Sequence, residues 1–223
     1  MSADPADASL AGPPGDGRGP LVALGDTGAP GVPALRWLDR LPRSGDPPER
    51  VIAPAGDGAW RHAPWPAADA LFELAPPSGT AVALTGGNAG LRAAVAEHAA
   101  ARGVALEPIV RLDARELRRC ACVILAECPG GALPARAPAV LAAGRLLIVP
   151  RLRTAFGLQD GLDHVEFADP DEAVTLVQAY CRAPAAFARM LVWGRVAAEA
   201  QRASVVYARL AADLRLHDHG RRA

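Results

Sequence analysis

The basic residues of this chain are the first guide to the chemistry that it can carry out. All 24 of them are arginine, and no lysine occurs among the 223 residues. A lysine that binds phosphate in a P-loop, forms a Schiff base or acts as a base is therefore excluded. Arginine keeps its charge and can bond two phosphate oxygens at once. Any phosphate that this protein binds must be held by arginine or by backbone N–H groups.

Four cysteines are the residues that would bind a metal: Cys120, Cys122, Cys128 and Cys181. One residue separates the first two and the third follows six positions later, which matches no common zinc motif. Cys120 and Cys122 also stand at the start of an apolar run that predicts a buried strand. The sequence therefore favours reduced thiols in the core and predicts no metal site.

Histidine and serine offer few candidates for acid–base or nucleophilic catalysis. His62 lies between two tryptophans in AWRHAPW. It is a candidate base for an acceptor hydroxyl, although packing within a connecting segment is the favoured role. His217 and His219, in LHDHGRR, fit a frayed tail better than a metal site. No GxSxG nucleophile motif is present, so the sequence assigns no catalytic residue.

Charge and hydropathy exclude further classes of function. The formal net charge is zero at pH 7, so no basic footprint points to nucleic acid. No run approaches the roughly 18 apolar residues of a membrane span. The first residues are polar, acidic and rich in proline and glycine, unlike a signal peptide. We therefore expect a cytoplasmic protein with no membrane span and no nucleic-acid partner.

The elements that would position functional residues alternate between apolar strands and helices. Strands are indicated by LVALG, RVIAPAG, TAVALTGG, ALEPIVR, CVILAEC, LLIVP and HVEFA. These runs are continuously apolar, which is typical of a parallel sheet covered on both faces. The sequence therefore predicts an α/β fold, a doubly wound parallel sheet of Rossmann-like type, with a long C-terminal helix.

Helices are predicted between and after the strands. Apolar spacing at Val32, Leu35, Leu38 and Leu41 predicts a first helix. A short helix follows near residues 67–74, and NAGLRAAVAEHAAARG predicts another that Gly103 ends. DARELRRC has Asp113 as its N-cap, and AVLAAG and DEAVTLVQAYCRA predict two more. The stretch from AAFARM to LRLH predicts one long helix with a bend at Gly194.

Several segments together resemble the C-terminal, donor-binding domain of GT-B glycosyltransferases of the family 1 and family 4 type. The segments are APWPAADALFEL, TAVALTGG followed by GLR, GGALPARAPAVLAAGRLLIVP, and FADPDEAVTLVQAYCRAPAAFARM. The resemblance is in the order of elements and covers about residues 60–215. It implies one half of a GT-B enzyme, with metal-independent transfer of a hexose from a nucleotide-sugar.

In that family, glycine turns and helix N-termini hold the donor diphosphate. By position, the resemblance implies donor-binding roles for Gly86, Gly87, Arg92, Gly130, Gly131 and Arg136. Glu127 is a further donor-binding candidate, because it ends a strand at the carboxyl edge of the sheet, where α/β sites form. The alternative for the glycines is a tight turn, and for the charged residues an ordinary solvated side chain. The family's acidic residue at the start of the "EALACG" helix aligns with Ala139, which cannot bind ribose hydroxyls.

The predicted organisation has four parts. Residues 1–19 form a disordered tail, 20–75 an abbreviated N-terminal α/β segment and connection, 76–216 the donor-binding domain, and 217–223 a tail. The resemblance implies a nucleotide-sugar as substrate, no cofactor, and a protein partner that supplies the acceptor domain.

Two functions stay open from the sequence. The first is a glycosyltransferase-like protein acting on an unknown acceptor. The second is a non-catalytic GT-B-derived module, a pseudoenzyme, that binds nucleotide or a protein partner. A receiver or flavodoxin-like module has little support, because the chain offers Asp26 alone near its first strand and no lysine.

Overall fold

A computed structural model of the chain describes residues 65–78, 80–153, 155, 157–209 and 212. Of residue 129, and of short strands at 21–22, 35–37, 51–53 and 61–62, it describes the backbone alone. The chain divides into two compact units, Met1–Ala63 and Pro64–Ala223.

The first unit contains a small four-stranded sheet in its described part. Its strands are β1 (Leu21–Val22), β2 (Leu35–Trp37), β3 (Val51–Ala53) and β4 (Arg61–His62), in that order across the sheet. β1 and β2 are antiparallel, and the other two pairs are parallel.

One predicted element of this unit is wrong. β2 lies inside the segment with helical apolar spacing, and its Arg36 pairs with Val51 of β3. Short apolar runs fit a helix and a strand almost equally well, and here pairing with a neighbouring strand decides the outcome. The positions Val32, Leu38 and Leu41 lie outside the described residues, as does Asp26.

The second unit is built on a five-stranded sheet in which every neighbouring pair is parallel. Its strands are β5 (Val82–Thr85), β6 (Glu107–Pro108), β7 (Cys122–Leu125), β8 (Leu146–Pro150) and β9 (Val165–Phe167). They lie in the order β6-β5-β7-β8-β9. The chain therefore builds the sheet outward in both directions from β5.

Helices cover both faces of this sheet. The helices are α1 (Ala89–Ala101), α2 (Ala114–Arg119), α3 (Ala137–Ala142), α4 (Pro170–Arg182) and α5 (Ala188–Ala198). α1 and α4 share one core cluster with Val82, Leu84 and Ile124. α2, α3 and α5 share another with Ala83 and Val123. Successive residues of β5, β7 and β8 are buried on opposite faces, so the predicted α/β doubly wound sheet is confirmed.

The predicted helix ends agree with the structure where the sequence carries a capping signal. The carboxylate of Asp113 accepts from the backbone N–H groups of Arg115 and Glu116, each at 3.0 Å. Gly103, just past α1, has φ +65°, the left-handed conformation that ends many helices. Pro170 occupies the first turn of α4, whose N-cap is Asp169.

The C-terminal stretch is not one helix bent at Gly194. α5 runs through Gly194, and the break comes at a 3-10 turn over Glu199–Gln201, before a further helix at 203–209. At the break, Ala67 donates to the carbonyl of Gln201 and its own carbonyl accepts from Ala203. These bonds to an early residue replace the helical ones. The segment near 67–74 likewise forms a 3-10 helix, Asp69–Glu73.

Gly194 has a packing role instead of a bending role. A Cβ atom there would lie 2.7 Å from the carbonyl oxygen of Asp163 and 2.9 Å from a methyl carbon of Leu141. The glycine therefore lets α5 approach the loop before β9 closely.

Candidate functional site

The sheet order places a crevice at the carboxyl ends of β5 and β7. From β5 the chain goes to β6 on one side, and the next strand, β7, pairs on the other side of β5. The loops that leave β5 and β7 therefore run toward opposite faces of the sheet. Open α/β sheets bind their ligands at such a switch point.

The turn after β5 makes a close backbone contact across this crevice. Gly86 has φ +130°, and a Cβ atom there would lie 2.5–2.7 Å from the backbone O, C and N atoms of Ala126, just past β7. The N–H of Ala126 donates to the carbonyl of Thr85 at 2.7 Å, and that of Asn88 donates to Ala126 at 3.2 Å. Only glycine fits this position, so backbone packing by itself accounts for a glycine at residue 86.

The same turn starts α1 and presents a backbone N–H to an acidic group. Asn88 is the N-cap, and its side-chain oxygen accepts from Leu91 at 3.0 Å. The N–H of Gly87 donates to Oε2 of Glu127 at 2.6 Å. The start of a helix carries a partial positive charge, which stabilises a carboxylate in this position.

Glu127 is held by an arginine as well. Nε of Arg136 donates to Oε1 at 3.0 Å, and Nη2 donates to Oε2 at 2.7 Å. The side chain of Glu127 is 18% exposed and that of Arg136 is 36% exposed, so this bidentate ion pair is partly open to water. A third donor of Arg136, Nη1, lies 3.4 Å from the hydroxyl of Thr85. The pair therefore joins the ends of β5 and β7 to the segment before α3.

Arg92 belongs to the same cluster. Its guanidinium, one turn into α1, donates to the carbonyl of Gly86. We name Gly86, Gly87, Arg92, Glu127 and Arg136 the switch-point cluster. Five of the seven donor-binding candidates are thus linked, by these hydrogen bonds and by the Gly86–Gly87 peptide bond.

Gly130 and Gly131 lie in the loop that leads from Glu127 to Arg136, within a 3-10 turn, and both have positive φ. Their nearest charged neighbour is Arg153, whose Nη2 donates to the carbonyl of Gly130 at 2.9 Å. The N–H of Arg153 donates to Gly131 at 2.7 Å. Within the described residues, the hydrogen bonds of the two glycines go to Arg153 and Cys128, and none goes to the switch-point cluster.

Sequence reasoning missed Thr85, Asn88 and Arg153. The first two carried a signal, because TGGN follows a buried strand and precedes a helix, where asparagine is a favoured N-cap. Arg153 carried none, since it lies in an irregular loop after β8. Ala139 is partly buried in α3 and packs against the core.

The other candidates from the sequence fall outside this cluster. His217 and His219 are outside the described residues, as is the side chain of His62. Cys120 and Cys122 are buried, and burial raises the pKa of both thiols. Among the described residues no group of three or more His, Cys, Asp or Glu side chains is placed to hold a metal ion. The described helices include none with the length and hydropathy to cross a bilayer.

Comparison with known proteins gives a limited result. No family model matches the chain. No curated protein matches it either. Among solved structures, it is similar to a pneumococcal O-GlcNAc transferase, GtfA, in complex with UDP and GlcNAc, at 13% identity and a TM-score of 0.41. A GtfA/B complex aligns at 14% identity and a TM-score of 0.36.

These alignments are partial on both sides. They cover 59% and 64% of this chain, but 28% and 37% of the respective neighbours. The chain therefore spans well under half the length of the solved structures that it matches.

Proposed function

We propose that this protein binds the diphosphate of a nucleotide-sugar at the switch-point cluster and acts as a glycosyltransferase-like protein. One observation carries the proposal: the N–H of Gly87 and the guanidinium of Arg136 both bond the carboxylate of Glu127 at the switch point of the sheet. The cluster thus combines a backbone amide at a helix start with a fork-shaped cation. This is the combination that binds phosphate without lysine or metal.

Binding would exchange one anion for another. A phosphate oxygen would take the place of Glu127 at the Gly87 N–H and at Arg136. The carboxylate would then turn toward the more exposed side of the loop, where hydroxyl groups of a ribose or sugar can donate to it. The Gly87 amide and Arg136 would each keep an anionic partner, and Arg92 is the second cation of the cluster.

Group transfer would follow from this placement. The acceptor hydroxyl would attack the anomeric carbon, the bond from that carbon to the phosphate oxygen would break, and the nucleoside diphosphate would leave with the electron pair. The proton of that hydroxyl must pass to a base, and no residue in the described part of the chain is assigned as that base. The amide and Arg136 would stabilise the charge that develops on the leaving phosphate.

The first test is thermal stability of the full chain against a panel of UDP-, GDP-, ADP- and TDP-sugars and the free nucleotides. UDP is the first probe, because the pneumococcal transferase named above contains it. A ligand at one hundred times its Kd stabilises the folded state by about 2.7 kcal/mol. For a chain of this size that raises Tm by roughly 5–10 °C.

Matched glycine variants locate the binding. Gly130 and Gly103 both have φ near +60°, and a Cβ atom at either would meet nothing within 4 Å. Gly130→Ala and Gly103→Ala therefore carry similar conformational costs. We expect Arg136→Ala to weaken the response to the nucleotide. Gly130→Ala and Gly103→Ala change residues outside the switch-point cluster and should both leave the response intact. No shift with any ligand at millimolar concentration would sink the assignment.

A second candidate function rests on the exposed face of α5. Val192, Trp193 and Val196 are 62%, 42% and 54% exposed. A non-catalytic module that binds a protein partner would use such a face, and the alanine at position 139 also favours a protein without turnover. Release of free nucleotide from the bound sugar donor, measured over time with and without cell-derived acceptors, separates the two functions.

A further inference from the structure

A second cationic site lies at the opposite end of the strands. Arg145, the residue before β8, is only 2% exposed. Its Nε donates to the carbonyl of Leu117 at 2.7 Å, and its Nη1 donates to the carbonyl of Ala75 at 3.0 Å. A buried guanidinium is thus held by carbonyl groups and not by an acidic side chain.

A second arginine lies beside it. Nη1 of Arg195, on α5, donates to the carbonyl of Leu74, the residue next to Ala75, at 2.9 Å. A Cβ atom on Gly144, the residue before Arg145, would lie 3.6 Å from the same Nη1. The two guanidiniums therefore bond adjacent carbonyls and face the same turn between α3 and β8.

The charges of this arginine pair are not balanced by carboxylates. Among the ion pairs of the described residues, none involves Arg145 or Arg195. Burial lowers the pKa of Arg145, and the neighbouring Arg195 acts in the same direction. Carbonyl dipoles make the pair tolerable, but two like charges side by side still attract an anion.

The pair also has hydrogen-bond donors to spare. Nη2 of Arg145, and Nε and Nη2 of Arg195, donate to no described residue in the hydrogen bonds found. The described buried polar atoms that lack a partner are Nδ1 of His164 and Oε1 of Gln201. The spare arginine donors are not among them, so none of these donors is fully enclosed. Arg195 is half-buried whereas Arg145 is 2% exposed, so Arg195 is the residue that an incoming group would meet first.

We propose that Arg145 and Arg195 form a binding site for a tetrahedral oxyanion, such as phosphate, at the amino end of the sheet. Three donor nitrogens on two planar cations match the several oxygens of such an anion. The site is separate from the switch-point cluster, which lies at the carboxyl ends of the strands. It does not depend on the proposed nucleotide function.

The test uses the full chain and inorganic phosphate, with sodium chloride at the same ionic strength as the reference. Binding is followed by calorimetric titration and by the rise in Tm. We expect saturable phosphate binding in the wild type, weakened about tenfold or more in Arg195→Gln, since charge-assisted hydrogen bonds are lost. Arg118→Gln is the matched control: Arg118 is an exposed arginine of α2. It should bind phosphate like the wild type.

Arg195→Gln is preferred to a change at Arg145, because the more buried residue ties together three segments and its loss threatens folding. A circular dichroism melt confirms that the variant is folded. Titration with glycerol phosphate distinguishes sources: tighter binding than inorganic phosphate indicates a phosphate group on an organic molecule, and equal or weaker binding indicates the free ion.

Other outcomes overturn the proposal. Equal phosphate affinity in Arg195→Gln and wild type would do so, as would an identical response to chloride at matched ionic strength. Loss of phosphate binding in Arg136→Gln but not in Arg195→Gln would place the anion at the switch-point cluster. That result would support the nucleotide proposal while removing this one. If phosphate binding depends on Arg195 and UDP does not bind, the phosphate site is supported and the nucleotide proposal is removed.

Discussion

Replacement of Gly86 by alanine tests whether the switch-point crevice is built as described. Two costs combine at this position. A non-glycine residue at φ +130° costs on the order of 1–3 kcal/mol. The new methyl group would also meet three backbone atoms of Ala126 at 2.5–2.7 Å. Backbone cannot rotate away, so the ends of β5 and β7 must separate, at about 1–3 kcal/mol. The expected loss in the free energy of unfolding is about 2–6 kcal/mol.

Two further alanine variants separate the two costs. Gly103→Ala carries the left-handed strain with open space around the new methyl, and should cost about 1–2 kcal/mol. Gly194→Ala has helical backbone but would meet the carbonyl of Asp163 at 2.7 Å, so it carries the steric cost, offset by the about 1 kcal/mol that favours alanine over glycine in a helix. Gly86→Ala should exceed each of the other two.

Urea unfolding of the three variants, with unchanged m-values, supplies the comparison. If Gly86→Ala were no more destabilising than Gly103→Ala, the backbone of Ala126 would not lie where it is described. The hydrogen bonds that form the crevice would then fall with it, and so would the reason for placing a ligand there.

Three further predictions follow from contacts in the second unit. A double-mutant cycle on Glu127 and Arg136 should give a coupling of about 0.5–1 kcal/mol that decreases with salt, because the pair is partly exposed; a salt-independent coupling would contradict this. Asp113→Ala should lower the free energy of unfolding by about 1 kcal/mol, and Asp113→Asn should restore most of it, as both can cap α2. The raised pKa of Cys122 means that stability present at neutral pH is lost as pH rises above about 8.5, where the unfolded thiol ionises first. In denaturation experiments between pH 8 and 10, the free energy of unfolding should fall less steeply with pH in Cys122→Ala than in the wild type. The same slope in both proteins would count against the burial of this thiol.

The sheet of the second unit was predictable because its central strands, β5, β7 and β8, are buried along almost their whole length. Val82–Thr85 and Cys122–Leu125 are buried at every position, and so no competing amphipathic pattern arises. Asp113 and Gly103 marked helix ends because side-chain capping and a left-handed backbone conformation are local properties of single residues. The helical spacing around Leu35 misled because strand pairing with β3 is a non-local interaction.

The candidate site was predictable in its glycines but not in its bonds. TGGN after a strand indicates a turn into a helix, and Gly86 and Gly87 form one. The pairing of Glu127 with Arg136 depends on how two loops meet, which no local pattern records. The arginine pair at the amino end was invisible for the same reason: Arg145 and Arg195 are far apart in sequence and meet through carbonyls of a third segment.

The bonds of Ala67 with Gln201 and Ala203 bear on how the chain folds during synthesis. The early 3-10 segment carries Leu71 and Phe72 into the core, and Arg202 lies 4.0 Å above the ring of Phe72. The ribosome therefore releases these apolar residues long before the segment that covers them exists. A nascent chain of which only the residues before 199 have left the ribosome should expose them to proteases and chaperones, while a chain of which residue 206 has also left the ribosome should protect them. The last turns of the unit thus set the moment at which co-translational folding can be completed.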